Sequence, residues 1–148
     1  MSQRGTAFLG SYSSDGVCVA EVDQRHGTLT VGTRVSGVPD ASWLAFSTDR
    51  RFLYCTNETD QDGTVTALRL TGDPPIVLNR QPTLGAAPTH LSVHPSGRFL
   101  LTANCSAGSV VVHPLLPDGR IAVGSVPEYL QVSGARPHVE GTERELDR

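Results

Sequence analysis

Several side chains that can take part in chemistry stand at the ends of strand-like segments of this 148-residue chain. Asn57 and Glu58 follow one such segment, Asn104 ends an equivalent segment, and His90 begins another. A carboxylate or an imidazole can act as a general base, and an amide can donate a hydrogen bond to a developing oxyanion. No Gly-x-Ser-x-Gly elbow occurs in the sequence, so a serine nucleophile is not indicated.

Neither a metal site nor a cofactor site is predicted. The stretch from Asp60 to Gly63 resembles the start of a calcium loop, but it lacks the further oxygen ligands and the terminal glutamate, so we interpret it as a plain turn. His26, His94 and His113 lack the mutual spacing of metal ligands.

An internal repeat must position these side chains. Residues 42–57 align with residues 89–104 at a constant offset of 47, which brings Asn57 onto Asn104. Residues 27–33 align with residues 119–125 at an offset of 92. Two periods of about 46 residues account for that spacing, so the sequence holds about three copies of one unit.

Each full copy contains four short runs rich in Val, Ile, Thr and Phe, separated by turns with Gly, Pro, Ser or Asp. A four-stranded repeat of about 45 residues is typical of a propeller blade. The sequence therefore predicts an all-β fold, a partial β-propeller of antiparallel blades. A β-sandwich or barrel is the alternative, but it would not require copies to match in register. The predicted blades span 5–38, 41–87 and 88–134 of a domain at 5–134, and 135–148 is a divergent tail that we expect to be disordered.

The blade count predicts an open structure. The first copy lacks its opening strand, so the expected strand numbers are three, four and four, whereas propellers close with roughly four to eight blades. Each blade in such a stack buries its faces only against its neighbours. We therefore expect a fragment of a propeller whose open blade faces support self-association. In this arrangement His90 begins the first strand of its blade and is expected to face the central channel.

Composition excludes several partners. The formal net charge is -3, and no basic cluster interleaved with aromatic residues occurs, so no nucleic-acid partner is predicted. No apolar run approaches the roughly 18 residues of a membrane span, and no signal peptide precedes the repeat, so we expect a cytoplasmic protein without a membrane partner. Cys18, Cys55 and Cys105 are expected to be buried free thiols.

A family resemblance rests on five segments taken in this order: 8–13, 53–58, 79–83, 88–93 and 97–104. Together they resemble the N-terminal part of the seven-bladed lactonase family, the propeller-type 6-phosphogluconolactonases, which are related to fungal carboxymuconate cyclases. The resemblance covers nearly the whole chain but only some two-fifths of a complete family member. It therefore implies about three blades of an expected seven.

The resemblance implies hydrolysis of a small-molecule sugar lactone of the 6-phosphogluconolactone type, in carbohydrate metabolism and the pentose phosphate pathway. Such a reaction needs a base-activated water, donors for the oxyanion and cationic groups for a phosphate. By similarity, Glu58 and His90 are the catalytic candidates. Tyr12, Asn57 and Asn104 are the candidates for substrate binding.

Two departures from the family pattern affect the predicted site. After Gly134 the family proceeds to a stretch with two closely spaced histidines, whereas this chain continues as a charged, non-periodic tail. His138, in that tail, is a candidate remnant of the histidine motif and a candidate for substrate binding. Cys105 stands where an aromatic residue often follows the asparagine of the second strand.

Structural explanations compete with each functional one. Asn57 and Asn104 recur in two blades, as turn-forming residues do. His90 aligns with Trp43 and can be a packing residue, and Glu58 can be a solvated loop residue. At the level of the protein, the alternatives to a lactonase are a non-catalytic propeller-type binding module and a truncated product with no activity of its own.

Overall fold

A computed structural model describes residues 3–126 of the chain as ten β-strands in three antiparallel sheets. The first sheet has three strands, β1 (Arg4–Gly10), β2 (Val17–Asp23) and β3 (Thr28–Val35). The second has four, β4 (Ala41–Phe46), β5 (Phe52–Asn57), β6 (Thr64–Arg69) and β7 (Ile76–Pro82). The third has β8 (Pro88–Val93), β9 (Phe99–Asn104) and β10 (Ser109–Pro114).

The predicted all-β, partial-propeller architecture is confirmed, because each sheet is a meander of strands that follow one another in the chain. No helix in the described part of the chain is long and apolar enough to cross a membrane. The predicted tail at 135–148, the last residues of the third predicted blade and His138 lie outside the described residues.

The third sheet differs from the prediction of four strands. The fourth strand-like run of the third copy, residues 120–124, predicts a strand, but the structure has only two isolated bridges to the preceding segment, Val112 to Ser125 and Leu115 to Ile121. Between those bridges, Pro114 has no amide hydrogen to donate, so a continuous ladder is interrupted at that residue.

The backbone of Ile121 bonds to the second sheet instead. The Ile121 amide donates to Asn79 Oδ1 over 3.0 Å, and Asn79 Nδ2 donates to the Ile121 carbonyl over 2.7 Å. One side chain of β7 therefore takes the place of a strand partner and ties the third sheet to the second. Together with the missing amide hydrogen of Pro114, this contact accounts for the isolated bridges in place of a strand.

The core consists of two layers, one on each face of the second sheet. Every residue of β5 is buried, since alternate side chains of a strand point to opposite faces and both faces are covered. Leu53 and Cys55 pack toward the first sheet, whereas Phe52 and Tyr54 pack toward the third. The near-continuous apolar run of the second strand in each repeat therefore reflects burial between two blades.

Strand direction divides the structure into two ends. The upper end is formed by the last residues of β1, β5 and β9 and the first residues of β4 and β8. The lower end carries the turns that join β4 to β5 and β8 to β9. Asn57, Glu58 and Asn104 lie at the upper end, and His90 is the third residue of β8 at that same end.

Candidate functional site

Tyr12 and Glu58 meet at the upper end across the boundary between the first and second sheets. The Tyr12 hydroxyl donates to Glu58 Oε2 over 2.8 Å. This hydrogen bond is the main reason that the pKa of Tyr12 is raised above its ordinary value, because ionisation would remove the donor and place two anions together. Tyr12 is 70% exposed and Glu58 is half-buried, so the pair is accessible from solvent.

Trp43 and His90 form a second pair across the boundary between the second and third sheets. Their ring centroids are 4.2 Å apart at an interplanar angle of 45°. Trp43 remains 42% exposed, and His90 is also exposed. The alignment of Trp43 with His90 in the repeat thus corresponds to contact between the two rings at the surface rather than to burial in the core.

β-bulges at equivalent positions of β4 and β8 determine the direction of the Trp43 and His90 side chains. The pairing of β4 with β5 shifts between Ala41 and Leu44, and the pairing of β8 with β9 shifts between Pro88 and His90. Such bulges bend a strand and change the direction of a side chain. Within the first bulge, the Trp43 amide donates to Thr56 Oγ1 over 3.0 Å, which holds the backbone in place.

The backbone of Glu58 is held by the connection between β3 and β4. The Glu58 amide donates to the Asp40 carbonyl over 3.0 Å, and the Asp40 amide donates to the Ser13 carbonyl over 3.0 Å. Asp40 has a φ of 50°, an uncommon conformation for a residue with a Cβ. The connection therefore fixes the loop of Tyr12 and the loop of Glu58 relative to each other.

Asn57 lies beneath this surface and is 1% exposed. Its Nδ2 donates to the Pro39 carbonyl over 2.6 Å, and its Oδ1 accepts hydrogen bonds from Thr64 Oγ1 and Thr66 Oγ1 over 3.2 and 2.5 Å. The amide is thus committed to loop and strand partners. In this structure it supports the connection that carries Glu58 and presents no polar atom at the surface.

Asn104 occupies the equivalent position in the third sheet and is 2% exposed. Its Nδ2 donates to the Thr83 carbonyl over 2.8 Å and to Ser109 Oγ over 3.1 Å. Its Oδ1 has no partner among the described residues. The difference from Asn57 has a simple cause, since Val111 stands where the second sheet has the hydroxyl of Thr66.

Of the predicted residues, the structure thus pairs Tyr12 with Glu58 at the surface, places His90 against Trp43, and buries the amides of Asn57 and Asn104. No hydrogen bond or ion pair joins Glu58 to His90 within residues 3–126. The sequence interpretation missed Trp43 as a site residue. Its signal was available, since Trp43 is the sole tryptophan and aligns with a catalytic candidate, but burial in the core was the simpler explanation.

The cysteines differ from the prediction at one position. Cys18 and Cys55 are buried free thiols, as expected, whereas Cys105 is exposed because it begins the upper-end turn after β9. Burial is the main cause that raises the pKa of Cys55 to about 12. Cys55 is therefore a packing residue rather than a thiolate nucleophile. Within the described residues, no group of His, Cys, Asp and Glu side chains could hold a metal ion.

Inter-blade cavities occur at the lower end, away from these pairs. One of about 420 Å³ lies between the first and second sheets and is lined by Phe8, Phe46 and Arg50. The Arg50 guanidinium carbon lies 4.6 Å from the centroid of the Phe46 ring, which gives this residue a local structural contact. The candidate site is nevertheless assigned to the upper end, because the predicted catalytic residues Glu58 and His90 both lie there, each in contact with an exposed aromatic ring.

Comparison with known proteins agrees with this assignment of fold. Residues 6–145 match the family described as the 7-bladed β-propeller lactonases. The chain belongs to this family. The family resemblance predicted from the five sequence segments is thereby confirmed.

Individual relatives of this lactonase-family chain are longer. The 6-phosphogluconolactonase of Bacillus subtilis is 28% identical over 119 residues, which are 77% of this chain and 34% of the relative. A structure of a candidate 6-phosphogluconolactonase from Bacteroides fragilis has a TM-score of 0.77 and 27% identity over 97% of this chain and 39% of its own. The periplasmic gluconolactonase of Pseudomonas aeruginosa has a TM-score of 0.76 and 31% identity over 84% of this chain and 38% of its own. The chain spans about a third of the length of the curated relatives it matches.

Proposed function

We propose that the upper end of this lactonase-family chain forms part of a site that hydrolyses a sugar-acid lactone. The hydrogen bond between Tyr12 and Glu58 carries this proposal, because it presents an oriented carboxylate at the surface of two adjacent blades. A small-molecule lactone is the proposed partner. The function belongs to carbohydrate metabolism, with the pentose phosphate pathway as the finer assignment.

Glu58 is the proposed general base. Tyr12 occupies Oε2, and no other hydrogen bond reaches the carboxylate from residues 3–126, so Oε1 is free to accept a proton from water. The water oxygen then bonds to the lactone carbonyl carbon. The ring C–O bond breaks, and the proton passes from Glu58 to the departing ring oxygen, which becomes a hydroxyl. The product is a single sugar acid, because the departing ring oxygen stays attached to the same molecule.

His90 is the proposed second catalytic residue. Contact with Trp43 holds its ring, and an N–H of the imidazole can donate to the carbonyl oxygen as negative charge develops there. Asn57 and Asn104 serve this site as positioning residues, since their amides hold the connections beneath it. Direct contact of either amide with substrate, and any part played by His138, stay predictions.

Replacing Glu58 with glutamine tests the proposal. Glu58→Gln keeps the acceptor for Tyr12 but removes the base, so we expect lactone hydrolysis above the spontaneous rate to fall by about 10² or more. Glu21→Gln is the matched control, since it removes an exposed carboxylate of β2 at a distance from the upper end. A pH-stat assay of the purified protein with glucono-1,5-lactone and its 6-phosphate measures both. Unchanged hydrolysis by Glu58→Gln would contradict the assignment.

A non-catalytic binding module is the second candidate function. The observation that favours it is the lack of a direct contact between Glu58 and His90 in the described structure, while Tyr12 and Trp43 remain open to a ligand. Lactone binding without acceleration of hydrolysis in the same assay would support this function over the first.

We also propose a cytoplasmic location. The described residues contain three unpaired cysteines and no disulfide, which suits a reducing compartment. The Pseudomonas relative is named as periplasmic, so the prediction is tested by fractionating cells that express the protein with its natural ends. Recovery with a periplasmic marker would overturn it.

A further inference from the structure

A network of three hydroxyl groups, those of Thr56, Ser42 and Tyr12, connects the two surface pairs of the upper end. Thr56 Oγ1 accepts a hydrogen bond from the Trp43 amide over 3.0 Å and lies 3.0 Å from Ser42 Oγ. Beside the larger effect of Glu58, which raises the pKa of Tyr12, a hydrogen bond with the Ser42 side chain lowers it. The Tyr12 hydroxyl then donates to Glu58 over 2.8 Å. This hydroxyl network therefore runs from the Trp43 backbone to the Glu58 carboxylate.

The hydrogen bonds of the hydroxyl network all point in one direction. A backbone amide can only donate, so Trp43 occupies an acceptor position of Thr56 Oγ1. Thr56 is fully buried, and within residues 3–126 the acceptor in reach of its proton is Ser42 Oγ. The proton of Ser42 is therefore available to the Tyr12 oxygen, which itself donates to Glu58. In such a series each hydrogen bond polarises the next and strengthens it.

The blade does not need the hydroxyl network in order to fold. In the third sheet the repeat places Thr89 where the second sheet has Ser42, and Ala103 where it has Thr56. Ala103 has no hydroxyl, yet β8 pairs with β9 and carries its bulge at the equivalent position. The network thus belongs to the sheet boundary at which Glu58 lies and is not a general feature of the repeat. This difference favours a role in the site over a role in the architecture.

We propose that Ser42 and Thr56 are positioning residues, which orient the Glu58 carboxylate for lactone hydrolysis by way of Tyr12. This inference rests on the proposed function and adds two residues to it. Because Ser42 holds the Tyr12 oxygen, the phenol donates to Glu58 Oε2 in one geometry and Oε1 stays directed at the attacking water. Thr56 holds the Trp43 backbone at the same time, so both surface pairs share one support. Neither hydroxyl contacts the lactone in this role.

Hydrogen exchange of the Trp43 amide tests the network without requiring catalysis. Thr56→Val removes the acceptor of this amide, and we expect its exchange, followed by NMR, to accelerate about tenfold. Ser42→Ala removes the acceptor of the Thr56 proton and should accelerate it about threefold. The Phe52 amide, which donates to Ser47 Oγ at the lower end, is the internal control and should keep its rate. Unchanged exchange at Trp43, or equal acceleration at both amides, would overturn the inference.

Steady-state kinetics test the positioning role itself, in the pH-stat assay with glucono-1,5-lactone and its 6-phosphate. Ser42→Ala should lower kcat about tenfold, because the base is less well oriented, and should change KM less than about twofold. Ser42→Thr keeps the hydroxyl and should restore kcat to within about twofold of the parent, since threonine is the residue at the equivalent position of the third sheet. Thr89→Ala is the matched control, because it removes that equivalent hydroxyl, and it should retain the kcat of the parent.

A double variant shows whether the two hydroxyls act as one unit. Ser42→Ala combined with Thr56→Val should lower kcat no further than the more damaging single change, whereas additive losses would contradict a shared role. Hydrolysis that Ser42→Ala leaves intact, or a higher KM with unchanged kcat, would overturn this inference and leave the lactonase assignment standing. Hydrolysis of neither lactone by the parent would overturn the lactonase assignment and the positioning role with it, whereas exchange at Trp43 would still report on the hydroxyl network.

Discussion

At the scale of residues, an asparagine at equivalent positions of two blades makes different hydrogen bonds, because its neighbours differ. Asn57 satisfies both sides of its amide because two threonines of β6 donate to it, whereas Asn104 lacks a donor because valine replaces one of those threonines. A buried polar atom without a partner costs about 1–3 kcal/mol. The repeat thus preserves the position of the asparagine more closely than it preserves its hydrogen bonds.

His113 is a buried residue that makes stability depend on pH. It is fully buried in β10, its Nδ1 lies 3.2 Å from the Ala122 carbonyl, and its Nε2 has no partner among the described residues. Burial is the main cause that lowers the pKa of His113, because a charged ring would lose its hydration. The unfolded chain therefore binds this proton more tightly than the folded chain does.

The sign of the pH effect follows from that difference. Stability from the neutral His113 is fully present above the ordinary histidine pKa of about 6.5 and declines as the pH falls below it. We expect the free energy of urea unfolding to decrease between pH 7.5 and 5. His113→Gln should show a smaller decrease, and the exposed control His94→Gln should retain that of the parent. An identical pH dependence for His113→Gln and the parent would contradict this role.

At the scale of elements, a recurring backbone contact joins each blade to the next. Asp40 and Ala87 occupy equivalent positions before β4 and β8 and have φ angles of 50° and 52°. Each donates its amide to the upper-end loop of the preceding blade and accepts from the residue after the second-strand asparagine. The position is shared although aspartate and alanine are dissimilar, so residue type alone did not reveal it.

The contact between Asn79 and Ile121 is a second joint between blades, and it can be tested. Asn79→Leu removes both hydrogen bonds and leaves the buried Ile121 backbone without these partners, which should cost about 2 kcal/mol. Amide exchange at Ile121 should accelerate accordingly. Gln81→Leu, two residues along the same strand, is the control and should cost less than about 0.5 kcal/mol. Equal losses in the two variants, measured by urea unfolding, would show that the joint adds nothing.

At the scale of the whole molecule, the outer face of the first sheet has no neighbouring sheet within the described residues. Pairing registers place Leu9, Val22, Leu29 and Val31 on the face opposite Phe8, which packs against the second sheet. Leu29 and Val31 are 55% and 53% exposed. An apolar sheet face of this kind favours association.

Self-association through this face is therefore the expected behaviour of the purified chain. Light scattering should give a mass that rises with protein concentration, because the exposed face can be buried against another copy. Val31→Lys places a charge on that face and should shift the mass toward the monomer, whereas Thr30→Lys, on the opposite face of the same strand, is the control. A monomer at all concentrations, or equal effects of the two variants, would contradict the prediction.

The sequence by itself determined the architecture and the family. A period of about 46 residues, strand-forming composition and turn residues at fixed places are local features, and a stack of blades repeats local structure. For the same reason it showed that Asn57, Glu58 and Asn104 share one end. Residues 120–124 form only bridges because Pro114 has no amide hydrogen to donate and because Ile121 bonds to Asn79 of another blade, a contact with no sequence pattern.

Only the tertiary structure decided which polar groups face solvent and which neighbours they meet. Tyr12 bonds to Glu58 across 46 positions of the chain, and Trp43 meets His90 across a blade boundary. These contacts depend on how one sheet packs against the next and on bulges that redirect individual side chains. Burial of the two asparagines was decided in the same way, since a repeat specifies where a residue recurs, whereas packing between repeats specifies what covers it.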